Sequence, residues 1–179
     1  MTSTTDTITL GGGCFWCLEA VYERVRGVVA VESGYCNGRV VNPTYEQVCG
    51  GDTGHAEVVR VKYEPTQITL REVLEIFFVI HDPTTLNRQG NDAGTQYRSG
   101  IYFRDAAQEA TARAVLAEVD AFHRGKAVTE VVAETNYSRA EDYHQHYFVN
   151  HPNQGYCAMV VAPKVDKFKK TFASRVLPA

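Results

Sequence analysis

The stretch TITLGGGCFWCLEAVYERVRG, residues 7–27, predicts a β-strand, a tight turn and a helix in succession. Residues 7–10 alternate polar and apolar side chains, as a half-buried strand does, and three glycines then interrupt the pattern. Apolar residues recur at helical spacing up to Gly27, a common stop signal: Leu18, Val21, Tyr22 and Val25. Cys14 would therefore lie at the first turn of this helix, directly after the glycines.

The chain continues as a succession of strands and helices. Residues 28–33 and 56–64 predict two further strands, because they are rich in β-branched residues and bounded by turn signals. Thr69 and Glu72 form a capping box ahead of an apolar helical stripe that ends before Pro83. Three more elements follow: a strand over 99–105, a helix from Asp105 with Gln108 to about His123, and a strand over 127–134.

The order of the first six elements, β-α-β-β-α-β, is that of the split β-α-β or ferredoxin-like motif. We therefore predict an α+β fold of one domain, 1–179, with helices on one face of a mostly antiparallel sheet in a two-layer core over about 7–134. A C-terminal extension over about 135–179 would be rich in loops and short helices. In it, a short helix over 140–151 would be capped by Ser138 and Glu141, and Pro163 would open a last helix.

Composition narrows the classes of function. The chain has 179 residues, of which 44% are apolar, so it can build a core without disulfides or a structural metal. A net charge of −3 with interspersed signs leaves no basic surface for nucleic acid. The N-terminal residues lack a secretory pattern and no apolar run is long enough for a bilayer, so we expect no membrane association and a cytoplasmic protein. The five cysteines would then be thiols, free for redox or metal chemistry.

Cys14 is the candidate nucleophile. At the start of a helix, free backbone N–H groups and the helix dipole stabilise a thiolate, and can lower a thiol pKa from about 8.5 into the range of roughly 3.5 to 7.5. The three glycines would let a substrate approach closely. The alternative is a buried cysteine that packs as a small apolar residue.

Glu57 is the candidate general acid. It shares the inward face of its predicted strand with Val59, Val61 and Tyr63, so its carboxyl would be desolvated. Desolvation raises a carboxyl pKa toward neutrality, where the group can donate a proton. The alternative is an interior carboxylate paired with arginine or lysine.

Aromatic and polar side chains near these two residues complete the candidate site. Phe15 and Trp16 follow the nucleophile off the apolar stripe of the helix, and predict an apolar pocket suited to a methyl or thioether group. Tyr45, Tyr97 and Asp92 lie in two unusually long loops, 35–56 and 81–100, and long ordered loops usually carry function.

Two other uses of the cysteines are compatible with the sequence. Four thiolates could hold a zinc ion, although Cys36 and Cys49 do not form the second close pair of a zinc ribbon: Cys14, Cys17, Cys36 and Cys49. The Cys-x-x-Cys pair could also exchange disulfides, but such motifs commonly place proline or glycine between the cysteines, and an exchanger has no use for Glu57. His144 and His146, two residues apart on a predicted helix, point to different sides and make a poor metal pair.

Several blocks in order resemble the type A peptide methionine sulfoxide reductases. They are GGGCFWC at 11–17, GY-x-NG at 34–38, NPTYEQVCGGDTGHAEVVRVKY at 42–63, HDPTTLNRQGNDAGTQYRS at 81–99, AEDYHQHY at 140–147 and NQGYCAMVVAPKV at 153–165. The resemblance runs from about Ile8 to Phe168. It implies a single catalytic domain that reduces methionine S-sulfoxide, free or in proteins, and so repairs oxidised proteins.

The resemblance also implies roles for the candidate residues. Cys14 would attack the sulfoxide sulfur, and Phe15 with Trp16 would hold the methyl group of the substrate. The sulfoxide oxygen would be bound and protonated by three residues, with Asp92 orienting groups through water: Glu57, Tyr45 and Tyr97. A sulfoxide is a poor electrophile until its oxygen is protonated, so an acid beside a thiolate suits this chemistry.

The second half of the implied reaction uses another thiol. Attack leaves a sulfenic acid on Cys14, which condenses with a resolving cysteine to an intramolecular disulfide that thioredoxin, or dithiothreitol in vitro, reduces. Cys157 is the first candidate because it lies in a Gly/Pro/Asn-rich segment able to reach Cys14. Cys17, where many relatives have glycine, is the alternative, although a bridge across one helical turn would disturb the helix. No metal or bound cofactor is implied, and we expect a monomer.

Overall fold

The computed structural model describes residues 4–177. It contains eight strands within that range: β1 Asp6–Gly11, β2 Val28–Cys36, β3 Ala56–Tyr63, β4 Arg88–Gln89, β5 Asp92–Ala93, β6 Gly100–Phe103, β7 Glu130–Ala133 and β8 Ser138–Arg139. The α-helices of the same range are α1 Phe15–Tyr22, α2 Tyr45–Cys49, α3 Leu70–Ile80, α4 Ala106–Phe122, α5 Tyr147–Asn150 and α6 Ala162–Thr171. None of the described helices is both long and apolar enough to cross a membrane.

Six of the strands form one mixed sheet in the order β7-β6-β1-β3-β2-β8. β3 is inserted between β1 and β2, which α1 connects, and it is antiparallel to both. Only β6 and β7, which α4 connects, are parallel neighbours. The predicted α+β class is confirmed, and β8 adds an edge strand that the sequence patterns did not indicate.

Alternation along the strands explains why the helices lie on one face of this sheet. Val59 and Val61 point into the large core cluster that also contains the buried residues of α1, α3, α4 and α6. Val58, on the other face, belongs to a small cluster with Cys36 and Tyr102. The helical face therefore carries most of the apolar burial, as a two-layer fold requires.

Side-chain capping fixes the starts of two helices where the sequence predicts them. The Thr69 hydroxyl accepts the Glu72 N–H at 3.2 Å, and the Glu72 carboxylate accepts the Thr69 N–H at the same distance. Asp105 accepts the Gln108 N–H at 2.8 Å at the start of α4. These predictions are confirmed because a capping motif depends on neighbours in sequence only.

The helix predicted over 140–151 is wrong. Ser138 lies in β8, where Tyr35 of β2 pairs with it, so it caps nothing. A 3-10 turn, Asp142–His144, and the single turn of α5 replace the helix, with His146 between them at φ 56°. The buried amide of Gln145, which accepts the Ser33 N–H at 3.0 Å and donates to the Ser33 carbonyl at 2.9 Å, ties this segment to β2 instead.

Two further boundaries differ from the predictions. α1 ends at Tyr22 rather than running to Gly27, because Val25 pairs with Val176 in an isolated antiparallel bridge. The last helix, α6, has proline in its first turn as predicted, but a π-helical turn, Cys157–Val161, leads directly into it.

Candidate active site

Cys14 lies at the junction of β1 and α1. It is the N-cap of α1, its carbonyl accepts the Cys17 N–H at 3.1 Å, and the residue as a whole is partly exposed. Gly13, just before it, has φ +92°, a backbone conformation that favours glycine. The predicted strand, turn and helix are confirmed here, and the turn places Cys14 at the start of the helix.

The glycines of the turn make room for neighbouring side chains of the protein. A Cβ on Gly12 would lie 3.1 Å from the rings of Phe77 and His81. A Cβ on Gly13 would lie 2.8 Å from Cγ of Gln89. The turn is therefore clamped between the end of α3 and the loop that carries β4.

We expect Gly13→Ala to destabilise the fold and to displace Cys14. The left-handed backbone and the contact with Gln89 together should cost about 1–3 kcal/mol of unfolding free energy. Urea denaturation measures this loss, and Gly155→Ala is the control because no atom lies within 4 Å of the Cβ it would add. An unchanged midpoint for Gly13→Ala would contradict the assignment of a tight turn.

Glu57 is buried on β3 within reach of the same helix start. Its side chain is 1% exposed, and its Oε1 accepts the backbone N–H of Phe15 at 3.2 Å. Burial raises the pKa of this carboxyl to about 8, with a smaller increase from Asp92, and the Phe15 N–H opposes the change. Among residues 4–177 no ion pair involves Glu57. The predicted inward position and raised pKa are confirmed.

The Cys14 thiol differs from the prediction of a stabilised thiolate. Burial raises its pKa well above the ordinary value, and the charges of Glu57 and Cys17 raise it further. The N–H of Trp16 at the helix start does lower the pKa, as predicted, but by less than burial raises it. The resting site therefore holds a neutral thiol beside a protonated carboxyl at neutral pH.

Two tyrosines from the long loops face this pair. Tyr45 begins α2, and Tyr97 ends the 3-10 turn Thr95–Tyr97. Burial raises the pKa of both phenols, and the Glu57 carboxylate contributes to both increases. Their hydroxyls are consequently neutral hydrogen-bond donors within electrostatic range of Glu57.

Asp92 reaches the site through a tyrosine that the sequence analysis did not single out. The Tyr156 hydroxyl donates to Oδ2 of Asp92 at 2.5 Å. Burial raises the pKa of Tyr156, and the charges of Cys14 and Cys17 raise it further, so its hydroxyl lies close to both thiols. The charge of Asp92 also raises the pKa of Cys14 and of Glu57.

Phe15 and Trp16 have different environments. Phe15 is fully buried, with its ring centroid 5.6 Å from that of Tyr35, so it packs in the core and forms no exposed wall of the predicted apolar pocket. Trp16 is half-buried, and its Nε1–H donates to Nδ1 of His144 at 3.1 Å. The ring of Tyr147 stacks on the indole at 3.8 Å with an interplanar angle of 4°.

His144 is a second residue that the sequence analysis did not place in the site. It is 1% exposed, and its ring centroid lies 5.0 Å from that of Phe15 and 4.5 Å from that of Tyr45. Because Nδ1 accepts from the indole of Trp16, the proton of the neutral ring lies on Nε2, which has no partner among the described residues. Burial lowers the pKa of His144 and keeps it neutral.

The sheet separates Cys36 from Cys14, Cys17 and Cys157. Cys17 is buried beside Cys14; burial raises its pKa, while Lys164 and the Tyr156 hydroxyl lower it. Cys157 is fully buried in the large core cluster. Cys36 lies on the opposite face in the small cluster, so it cannot share an ion with Cys14. This separation argues against the four-cysteine zinc site.

Comparisons with known proteins agree with this site. The family model described as peptide methionine sulfoxide reductase matches residues 6–176. The peptide methionine sulfoxide reductase MsrA of Polynucleobacter asymbioticus is 52% identical over 98% of this chain and 93% of its own.

Solved structures of the same class have the same fold. Reduced Mxr1 from Saccharomyces cerevisiae superposes with a TM-score of 0.81 at 39% identity, covering 88% of this chain and 91% of its own. Mxr1 in complex with Trx2 gives a TM-score of 0.57 at 28% identity, covering 82% and 87%. The chain therefore belongs to the peptide methionine sulfoxide reductase family, in its MsrA class of oxidoreductases.

Proposed function

We propose that the protein reduces the S epimer of methionine sulfoxide, free or in proteins, with Cys14 as nucleophile and Glu57 as general acid. The observation that carries this proposal is the position of Cys14, a partly exposed residue at a helix start, next to a buried carboxyl with a pKa of about 8. At neutral pH that carboxyl holds a proton, which a sulfoxide oxygen needs before its sulfur becomes electrophilic. Methionine release from the separated S and R epimers tests the proposal.

The first step couples two proton movements to one attack. Cys14 Sγ attacks the sulfoxide sulfur as Glu57 gives its proton to the oxygen, and the thiol proton passes to the Glu57 carboxylate. The hydroxyl then moves from the substrate sulfur to Sγ: the substrate S–O bond and the new Sγ–S bond break, an Sγ–O bond forms, and methionine is released with a sulfenic acid left on Cys14. The sulfoxide gains two electrons and the Cys14 sulfur loses two.

Hydrogen bonds to the oxygen would strengthen as charge develops on it. The neutral hydroxyls of Tyr45 and Tyr97 would be the donors, and the Tyr45 hydroxyl would turn to the oxygen from its present partner, the Cys49 thiol. Such donors stabilise the transition state more than the ground state. Asp92 would orient groups through water and through Tyr156, from whose hydroxyl it already accepts a hydrogen bond.

The aromatic residues would seat the substrate methyl group. Trp16 offers a half-buried indole that His144 and Tyr147 hold in one orientation, while Phe15 supports it from the core. The indole would form a fixed apolar wall beside the nucleophile. The selected epimer is the one that points its oxygen to Glu57 while its methyl group contacts this wall. The support for this role is the rigid contact set around Trp16.

The sulfenic acid would next condense with a second thiol, giving a disulfide and water. We keep Cys157 as the resolving residue, because it follows Tyr156 directly and Tyr156 adjoins both Cys14 and Cys17. Cys157 is buried, so the turn Cys157–Val161 must open for it to reach Cys14. Cys17 is the alternative, since its charge is already close enough to raise the pKa of Cys14.

Thioredoxin would return the enzyme to its reduced form by thiol-disulfide exchange. The support is the complex of the related Mxr1 with Trx2, a thioredoxin. A reducing partner of this kind supplies the two electrons that each catalytic cycle transfers to the sulfoxide.

We expect Cys157→Ser to release one methionine per enzyme molecule and to lose thioredoxin-driven turnover. The first release needs only Cys14, whereas turnover needs a disulfide that thioredoxin can attack. A quenched-flow assay without reductant measures the first, and a steady-state assay with thioredoxin measures the second. Cys17→Ser is the matched variant: if it stops turnover while Cys157→Ser does not, Cys17 is the resolving residue.

A further inference from the structure

The orientation of the Trp16 indole depends on one directional contact. The ring of Tyr147 stacks on the indole with an interplanar angle of 4°, and the ring of Tyr156 meets it edge-on at 5.8 Å. Stacking fixes the plane of an aromatic ring but not its direction within that plane. Among residues 4–177, the only hydrogen bond of the indole runs from its Nε1–H to Nδ1 of His144, at 3.1 Å. This bond therefore sets the direction of the indole.

His144 is itself held in place on several sides. The residue is 1% exposed, and its ring packs against three aromatic rings at centroid distances of 4.1, 4.5 and 5.0 Å: Tyr143, Tyr45 and Phe15. Its backbone N–H donates to the Glu141 carbonyl at 3.0 Å, and the next residue, Gln145, is tied to β2. An acceptor that is fixed in this way can fix the indole that donates to it.

The hydrogen bond requires a neutral imidazole. An indole N–H is a donor only, so Nδ1 of His144 must carry no hydrogen to accept it. In the imidazolium form both ring nitrogens carry hydrogen. The Nδ1–H of His144 would then face the Nε1–H of Trp16 as donor against donor, and one of the two rings would have to turn away.

The surroundings of the imidazole have opposing effects on its protonation. Burial opposes protonation and lowers the pKa of His144, whereas the charges of Glu141 and Glu46 favour it. The titratable groups that face the ring come from α2 and from its own segment: Tyr45, Glu46, Glu141 and Tyr143. α1 presents the uncharged rings of Phe15 and Trp16 to it. The imidazole is therefore protonated only at a pH below the ordinary histidine pKa of 6.5.

We propose that His144 is a positioning residue for the substrate: its neutral Nδ1 holds the Trp16 indole in the direction that seats the methyl group, and protonation in acid breaks this hold. This inference rests on the proposed function, in which the indole contacts the methyl group of the sulfoxide. In that role the indole contacts neither the oxygen nor the Glu57 proton, so it binds the ground state and the transition state alike. Loss of the hydrogen bond should therefore raise the half-saturating substrate concentration and leave the limiting rate of methionine release.

The fluorescence of Trp16 tests the contact directly, because it is the only tryptophan of the chain. Loss of the hydrogen bond and a positive charge beside the indole both change its emission. We expect the wild-type emission to change with a midpoint below pH 6.5, at pH values where circular dichroism shows a folded chain, and His144→Asn to lack this change. His151→Asn is the control and should keep the change, since this exposed histidine stacks on the ring of Tyr147 at 4.3 Å.

His144→Asn and His144→Leu form a matched pair for substrate binding. The two side chains have the same shape, but Oδ1 of asparagine replaces Nδ1 with an acceptor that cannot be protonated, whereas leucine has no acceptor. In single-turnover assays with the S epimer at pH 7, we expect the half-saturating concentration to be about three- to tenfold higher for His144→Leu than for His144→Asn, with similar limiting rates. As the pH is lowered within the folded range, this concentration should rise more for the wild type than for His144→Asn.

Each contrary outcome overturns a separate claim. Equal half-saturating concentrations for His144→Leu and His144→Asn would show that the acceptor at this position does not matter, and would reject the positioning role. A wild-type emission titration that matches that of His144→Asn would reject the effect of protonation. No release of methionine from the S epimer by the wild type would reject the reductase function itself, whereas the emission titration would still test the contact between His144 and Trp16.

Discussion

Cys14→Ser is expected to abolish methionine formation, with a loss of about three orders of magnitude or more. A serine hydroxyl at this position is not ionised near neutral pH and cannot form the sulfenic acid that carries the oxygen away from the substrate. The assay measures methionine from separated S and R methionine sulfoxide with dithiothreitol. The wild type should convert the S epimer alone, and the variant should convert neither.

Cys36→Ala provides the control for the number of thiols. Cys36 lies on the opposite face of the sheet, so its removal should leave conversion of the S epimer unchanged. Residual activity in Cys14→Ser would show that another cysteine is the nucleophile. Cys17 would be tested first, because it is the thiol nearest in sequence. Conversion of the R epimer by the wild type would reject the proposed stereochemistry.

The parts of the fold that depend on local sequence could be predicted. The capping box of Thr69 and Glu72 and the alternation along β3 are short-range patterns, and both have the expected structure. The inward position of Glu57 follows from the same alternation, which is why its burial and raised pKa were accessible from sequence.

Features that depend on distant contacts could not be predicted. The hydrogen bond from Trp16 to His144 joins residues 128 positions apart, and no local pattern indicates it. The raised pKa of Cys14 also depends on distant contacts. The sequence indicates that Cys14 starts a helix, but it does not indicate that the thiol is buried. The conformation of the segment around Gln145 is set by its buried hydrogen bonds to β2, although its sequence pattern is helical.

Glu57→Gln is expected to slow methionine release by a factor of about 10² to 10⁴, the usual contribution of a general acid. The amide can still accept the Phe15 N–H, so the helix start keeps its hydrogen bond while the transferable proton is lost. Single-turnover release of methionine from the S epimer measures the effect. Glu57→Asp, which shortens the acid but keeps its chemistry, should retain more activity than Glu57→Gln.

The pH dependence separates a proton donor from a merely structural carboxyl. With a pKa of about 8, Glu57 is protonated at pH 7 and loses its proton above pH 8, so the wild-type rate should fall about tenfold per unit there. This fall is expected because the proposed step starts from the neutral Cys14 thiol; a thiolate formed in advance, whose fraction rises about tenfold per pH unit below its pKa, would offset the fall and give a plateau. The falling limb should be missing in Glu57→Gln.

The Glu57→Gln variant should be more stable than the wild type, although it is less active. A buried carboxyl whose pKa rises from 4.5 to about 8 costs stability increasingly as pH rises from 4.5 to 8, because the unfolded chain ionises first. Glu57→Gln removes this cost and should stabilise the fold at pH 8 by up to about 4 kcal/mol, with no such gain at pH 4. Urea midpoints at the two pH values measure it. A variant less stable at pH 8 would show that Glu57 is a structural carboxylate, and its slower reaction would then report a damaged fold rather than a lost proton.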